Sequence, residues 1–409
     1  MHKSLSSHLL LPAGILSLCF QYAQSAYVLA DDYSGEEFFK SFSFFTDADP
    51  TNGHVKYQSM SQANATGLAG FMDGGNATKA VYMGVDTTSE TPQGRSSVRV
   101  QSMKSYQHAL VIADIVHMPG SVCGTWPAFW MVGEDWPNNG EIDIVEGVND
   151  QTSNQMTLHT SAGASISKSS HHTHPGKDGS NGKTPSQQSR LFTGKVLTSN
   201  CDVNAPDQSR NAGCAIADNT SLTFGADFNT NGGGVYSTEW TSSFIKIWFF
   251  PRGSFPSDIA SASPSPSENW GPPTSMFTGD FDMDQYFKNL SIVFDTTFCG
   301  DWAGNTWKQS SCASLAPTCE EYVSKNPAAF IEAYWAVNTL QVFQDDGKLG
   351  RGAGGNGTEA RPGGPPRAAG AAGTAALANG SFIKNAAIAH SKKSEFQPRR
   401  RSGGAVLRR

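Results

Sequence analysis

Three observations on the amino-acid sequence predict an all-β fold. The 409 residues include 42 Gly and 24 Phe with only 16% charged residues, a profile of many short strands and turns rather than a helical bundle. Runs of aromatic and β-branched residues recur along the chain, and Gly and Pro punctuate them. The densest such run, Glu141-Ile-Asp-Ile-Val-Glu146, interleaves carboxylates with aliphatics in the near-alternation of a half-buried strand. One β sandwich can run past roughly 200 residues as a single domain, so a single large β domain with an appended tail fits the length.

Taken in order, residues 1–26 read as a secretory leader. Lys3 precedes an apolar run from Leu9 to Phe20, and Ala23-Gln24-Ser25-Ala26 supplies small residues for cleavage. That run is too short to span a bilayer and no later stretch is long enough, so no membrane span is predicted. Strands are predicted at Phe38 to Phe45, Lys56 to Met60, Ala80 to Val85, Ser97 to Val100 and Ala109 to Ile115, with a turn at Asp49-Pro50-Thr51-Asn52-Gly53. Further strands are predicted at Gln155 to Thr160, along Gly234 to Arg252, and at Leu290 to Phe294. Residues 254–280, rich in Ser and Pro, are predicted to be a long loop. Cys319 to Asn326 reads as a short helix and Tyr334 to Phe343 as the last core strand.

Residues 27–344 are therefore assigned to the β domain and residues 345–409 to a disordered tail. The tail holds 12 Lys or Arg against 4 Asp or Glu, a net charge of +8, whereas the first 344 residues carry 18 against 32, a net of −14. Gly, Ala, Pro and Arg dominate it without a sustained apolar period. A basic tail is one route to nucleic acid, but an exported chain gives it no such partner, and none is expected. Removal of the leader takes Cys19 and leaves six cysteines: Cys123, Cys201, Cys214, Cys299, Cys312 and Cys319. An even count in an exported chain predicts up to three disulfides. Cys201 with Cys214 closes a short loop and is the one pair assigned. Sequons at Asn64, Asn76, Asn219, Asn289, Asn356 and Asn379 agree with export. His171, His172 and His174 fall in a Ser/Gly-rich stretch without adjacent acids and are read as solvated; no metal and no cofactor are expected.

The chemistry concentrates between Gly124 and Asn149. On a strand, alternate side chains share a face, so Glu141 and Asp143 lie side by side while Glu146 falls out of phase. One extra residue in a β-bulge between Asp143 and Glu146 restores the phase, and bulges gather beside active sites. The two glutamates then stand roughly 13 Å apart at Cα for a rise of about 3.3 Å per residue. Side chains leaning together reach the gap of about 5 to 5.5 Å used by retaining glycosidases, or the larger gap of inverting ones. Three acids on one face repel, which raises at least one pKa, as a proton donor requires. Trp126, Trp130 and Trp136 precede the acids, and indole faces stack on sugar rings.

This stretch resembles the bulged signature of glycoside hydrolase family 16, in the form carried by fungal-type secreted endo-1,3(4)-β-glucanases. The likeness extends to Thr157-Leu158-His159-Thr160, to residues 232–253, to residues 289–307 and to residues 333–343. The resemblance implies a concanavalin-like β-jelly-roll sandwich with a substrate cleft on its concave face. It implies retaining hydrolysis of β-1,3 or mixed β-1,3/1,4 glucan by a secreted monomer. Glu141 would be the nucleophile, Glu146 the acid/base, and Asp143 the residue that tunes Glu141. Trp126, Trp136 and Trp302 would stack on glucan, His159 would orient the carboxylates, and Glu239 with Trp240 would face substrate. A transglycosylase of the same family, a non-catalytic glucan-binding protein and a structural wall protein are the alternatives.

Overall fold

The computed structural model describes residues 27–73, 79–167, 191–266 and 268–345. The leader, the three histidines at His171, His172 and His174, the sequons at Asn76, Asn356 and Asn379, and the basic tail lie outside those residues. Two antiparallel sheets of eight strands face each other. The first, the acidic sheet, runs in spatial order Lys195–Val196, Cys214–Ala217, Gln155–His159, Glu141–Glu146, Thr125–Val132, Leu290–Phe298, Arg99–Tyr106 and Phe42–Phe44. The second, the back sheet, runs Ser275–Phe277, Ile245–Pro251, Gly234–Trp240, Ala109–His117, Trp335–Asp345, Lys79–Met83 and Ala69–Asp73, with Tyr27–Asp32 also paired to Trp335–Asp345. Val55–Tyr57 and Arg95–Ser97 form a small parallel pair.

The period-2 pattern decides which residues meet between the sheets. Ile142, Phe129, Met131, Ile292 and Phe294 from the acidic sheet pack against Val111, Ala113, Ile115, Tyr236, Trp240 and Val342 from the back sheet. Phe129 and Phe294, on neighbouring strands, stack with centroids 4.3 Å apart. Each such side chain withdraws enough apolar surface to stabilise the fold by about 1.5–3 kcal/mol. Leu110, Ile112 and Val235, the alternate residues of the back sheet, form a second apolar layer on its outer side, capped by Trp270, Phe255 and Ile259. With the back sheet covered on both faces, the acidic sheet keeps its outer face for other work.

Two predicted strands are corrected. Phe38 to Phe45 is a helix at Glu37–Ser41 followed by the short strand Phe42–Phe44. Phe38 and Phe42 stand four apart, and helical geometry stacks them at 4.2 Å in the core. Lys56 to Met60 is a strand only to Tyr57, because the Ser59 side chain accepts from the Gln62 N–H and starts a helix at Met60. Residues 254–280 are not one long loop but hold the helical turn Ser257–Ala260 and the edge strand Ser275–Phe277. The helix at Cys319–Lys325 forms as predicted, with Thr318 accepting from the Glu321 N–H.

Cys201 and Cys214 are joined as assigned, and the unassigned cysteines pair as Cys123–Cys312 and Cys299–Cys319. The last two bridges belong to a separate apolar cluster with Phe298, Trp307, Val323 and Phe330. Cys299–Cys319 ties the junction between the Leu290–Phe298 strand and the turn Gly300–Gly304, which carries Trp302, to the helix Cys319–Lys325, and Cys123–Cys312 ties the approach to Thr125–Val132 to the turn Ser311–Ser314. No helix among the described residues is long and apolar enough to cross a membrane.

Candidate active site

The bulge predicted in the acidic strand is present. Asp143 stands opposite Trp130 and Val145 opposite Phe129, so Ile144 is the extra residue. Ile144 and Val145 both enter the core, and Glu146 returns to the face of Glu141 and Asp143, opposite Ala128. A bulge frees backbone groups from the ladder, and buried ones need partners. A single side chain supplies both: Asn154 Oδ1 accepts from the Glu146 N–H at 2.9 Å and its amide donates to the Ile144 carbonyl at 2.8 Å. Asn154 is itself buried. It fixes where Glu146 points, and nothing in its sequence context singled it out.

Each glutamate is held by an indole. Trp136 Nε1 donates to Glu141 Oε2, and Trp126 Nε1 donates to Glu146 Oε1 at 2.7 Å. Trp126 meets Trp302 edge to face, with centroids 5.7 Å apart. Trp136 is the most open of the group, at 43% exposure. Asn149 ties this wall together: its Oδ1 accepts from Gly124 and its amide donates to the Ala303 carbonyl. Asn52 adds amide hydrogen bonds to both oxygens of Asp301. Thus Trp126 and Trp302 stand on braced elements beside Glu146, and Trp136 stands over Glu141.

His159 pairs in register with Glu141, and its Nε2 lies 3.2 Å from Asp143 Oδ2. One oxygen or nitrogen atom each from Glu141, Asp143 and His159 lies within 4.8 Å of the others. Carboxylates packed this closely hold on to protons. Burial, then the charge of Asp143, pushes Glu141 up to about 8. Burial likewise drives Asp143 upward, with Asp295 adding to it, and burial and Asp143 raise Glu146 well above the carboxylate range. The three therefore titrate as a unit that retains protons at neutral pH.

The sign of these shifts fixes a stability prediction. The folded cluster binds protons more tightly than the unfolded chain, so stability falls as pH rises from about 4, the ordinary carboxylate range, toward 8. Asp143→Asn, which removes one of the competing acids, is expected to melt at a higher temperature than the parent near pH 8. The advantage should vanish near pH 4, about where the unfolded carboxylates protonate. Melting curves across that range check it; equal melting temperatures at both ends would refute it.

The structure brings together Glu141, Asp143, Glu146, Trp126, Trp136, His159 and Trp302. It does not bring Glu239. Glu239 lies on Gly234–Trp240 of the back sheet, opposite Leu110 and so on the outer side, where its carboxylate accepts from Tyr27 and sits 3.9 Å from Lys246. Trp240, the next residue, points the other way into the core. The alternation of that strand was read correctly, but which sheet it joins is a long-range fact that local pattern does not carry. Conversely, Trp130 and Asp295 face the acids and were not proposed as site residues. For Asp295 the one signal was a lone carboxylate in the apolar run Ser291-Ile-Val-Phe-Asp-Thr-Thr-Phe298.

A two-sheet antiparallel sandwich with indole-held carboxylates across a bulged strand is the architecture of the jelly-roll glycoside hydrolases. The chain belongs to glycoside hydrolase family 16: a family model described as "XgeA-like, catalytic GH16 domain" matches residues 42–343. It is 42% identical over 334 residues to an endo-1,3(4)-beta-glucanase of Arthroderma benhamiae, covering 81% of this chain and 67% of that one. Among solved structures it is similar to an elongating family 16 beta-1,3-glucosyltransferase, with 42% identity and TM-score 0.67 over 78% of this chain and all of that one. It is also similar to laminarinase 16A of Phanerochaete chrysosporium, described with 6-O-glucosyl-laminaritriose in donor and acceptor sites, at 39% identity and the same TM-score and coverage. The chain spans about half the length of the Aspergillus and Neosartorya relatives it matches, between 41% and 48%.

Proposed function

We propose that this protein is a secreted, monomeric endo-β-glucanase that cleaves β-1,3 or mixed β-1,3/1,4 glucan with retention of configuration. One observation carries the reading: two carboxylates on one sheet face, set apart by a bulge and each oriented by an indole N–H. In the first step a Glu141 oxygen attacks the anomeric carbon, the glycosidic C–O bond breaks, and the Glu146 proton passes to the departing oxygen. In the second, Glu146 takes a proton from water, the water oxygen bonds to the anomeric carbon, and the ester to Glu141 breaks. Asp143, between them and beside His159, takes up the proton otherwise held by Glu141 and so leaves Glu141 as the attacking anion. Trp126, Trp136 and Trp302 stack on glucose rings. The three disulfides accord with export to an oxidising compartment, and the domain division into leader, catalytic unit at residues 27–344 and basic tail goes with this reading.

Transfer to a sugar in place of water is the second reading, favoured by the likeness to the elongating glucosyltransferase. A panel of laminarin, lichenan and defined β-glucan oligosaccharides, followed by chromatography, separates the two. Hydrolysis yields new reducing ends and shorter chains. Transfer yields chains longer than the starting oligosaccharide. If neither appears with any β-glucan, the enzyme reading is wrong.

A further inference from the structure

The outer face of the acidic sheet holds one buried carboxylate that the reaction above does not use. Asp295 lies on Leu290–Phe298, with Ala128 beside it on one neighbouring strand and Arg99 on the other. Glu146 follows Ala128 in the same cross-strand row. The small alanine leaves no bulky side chain between Asp295 and the acid. Asp295 Oδ1 accepts from Trp130 Nε1 at 3.0 Å and Oδ2 accepts from the Tyr57 hydroxyl at 3.0 Å. Trp130 is the direct cross-strand partner of Asp143. The Arg99 guanidinium lies 4.9 Å from the centroid of the Trp130 ring and 4.6 Å from that of Phe45.

We propose that Asp295 is a positioning residue for the family 16 reaction, which anchors the Trp130 indole beside Asp143 and sets, through its negative charge, the pH at which the acidic cluster gives up its proton. The proposal rests on the carboxylate-pair reading above and deepens it. Every group facing these acids enters the balance. Around Asp295 stand the Arg99 cation, the Tyr57 and Trp130 donors, and Asp49, reached through Thr297, whose hydroxyl donates to Asp49 Oδ2 at 2.6 Å. Around Asp143 stand Glu141, Glu146 and His159. Burial pushes Asp295 up to about 6, with Arg99 opposing. Asp295 is thus charged on the alkaline side of the working range and neutral on the acid side.

That asymmetry makes the proposal distinguishable from a purely structural role. Asp295 lies two strands away, in the row of Glu146 and two residues along from the row of Asp143, roughly 10 Å from the first and roughly 12 Å from the second at about 4.8 Å per strand and about 3.4 Å per residue. At an effective dielectric constant near 20, a like charge at either distance raises a pKa by about one unit. Asp295→Asn is close to isosteric, and its Oδ1 still accepts from Trp130. With the charge gone the cluster loses its proton more readily. The alkaline limb of the kcat/KM profile is therefore expected to move down by about one unit, and the acid limb by much less. Tyr57→Phe removes the hydroxyl that donates to Asp295 Oδ2 and raises the pH at which Asp295 itself protonates. It is expected to move the alkaline limb the same way by a smaller amount. Profiles of parent and both variants, with thermal melts to verify folding, test this. Limbs that superimpose on the parent, whether or not the height falls, overturn the proposal. A parent protein inactive on every β-glucan would instead overturn the enzyme reading on which it rests.

Discussion

With Glu141 replaced by glycine, glucan cleavage is expected to fall roughly 10⁴-fold or more, and added azide is expected to restore turnover with inverted product. The substitution leaves Ile142, Ile144 and Val145 in the core, so the strand and its bulge persist. What disappears is the carboxylate under Trp136 Nε1 and the covalent ester it would form. Azide is small enough to enter the vacated space. It attacks the anomeric carbon from the side Glu141 used, while Glu146 still protonates the leaving oxygen. A β-glucoside thereby yields an α-glycosyl azide, a single displacement in place of two. A merely structural Glu141 predicts no azide effect at all. Turnover within tenfold of the parent, or a β-configured azide, would assign the nucleophile elsewhere. The measurement is product stereochemistry by NMR on an activated β-1,3-linked oligosaccharide, with circular dichroism to check the fold.

How much of this was legible in the sequence depends on the range of the interaction. The bulge was legible because Glu141, Asp143 and Glu146 cannot share a face on a regular strand, and the intervening aliphatics forbid any other phase. The Cys201–Cys214 bridge was legible because its loop is short, whereas Cys123 and Cys312, separated by 189 residues, meet only through the folded sheet. Phe38 and Phe42 misled because an aromatic run suits a strand as well as a short helix, and only the core decides between them. Glu239 misled for a different reason: alternation says which residues share a face, not which sheet or which side of it. Asn154 and Asp295 act through backbone and indole partners on other strands. The role of Asn154 exists only once the chain after Glu146 turns back against the bulge, and that of Asp295 only once Thr125–Val132 and Leu290–Phe298 lie next to each other.

Removal of the other glutamate separates the two halves of the reaction. Glu146→Ala is expected to lower the rate on polysaccharide by about 10²–10⁴-fold, the span for loss of a general acid. On an aryl β-glucoside whose phenol leaves without protonation, the first step is expected to proceed nearly as in the parent. The glycosyl-enzyme then accumulates, because no base remains to activate water, and a burst of phenol precedes slow turnover. Azide, needing no base, is expected to release a β-configured product. The surroundings of Glu146 suit both of its tasks. Burial and the charge of Asp143 push it well above the usual carboxylate range, toward the protonated form a proton donor needs. The Trp126 N–H at 2.7 Å opposes them by favouring the anion, which is the form needed once the proton has left. Because proton loss from this cluster produces the alkaline limb of the parent profile, that limb should flatten in Glu146→Ala on the activated substrate. A limb that persists unchanged would place the proton donor on another residue, and Asp143, the most deeply buried of the three acids, would be the next to replace.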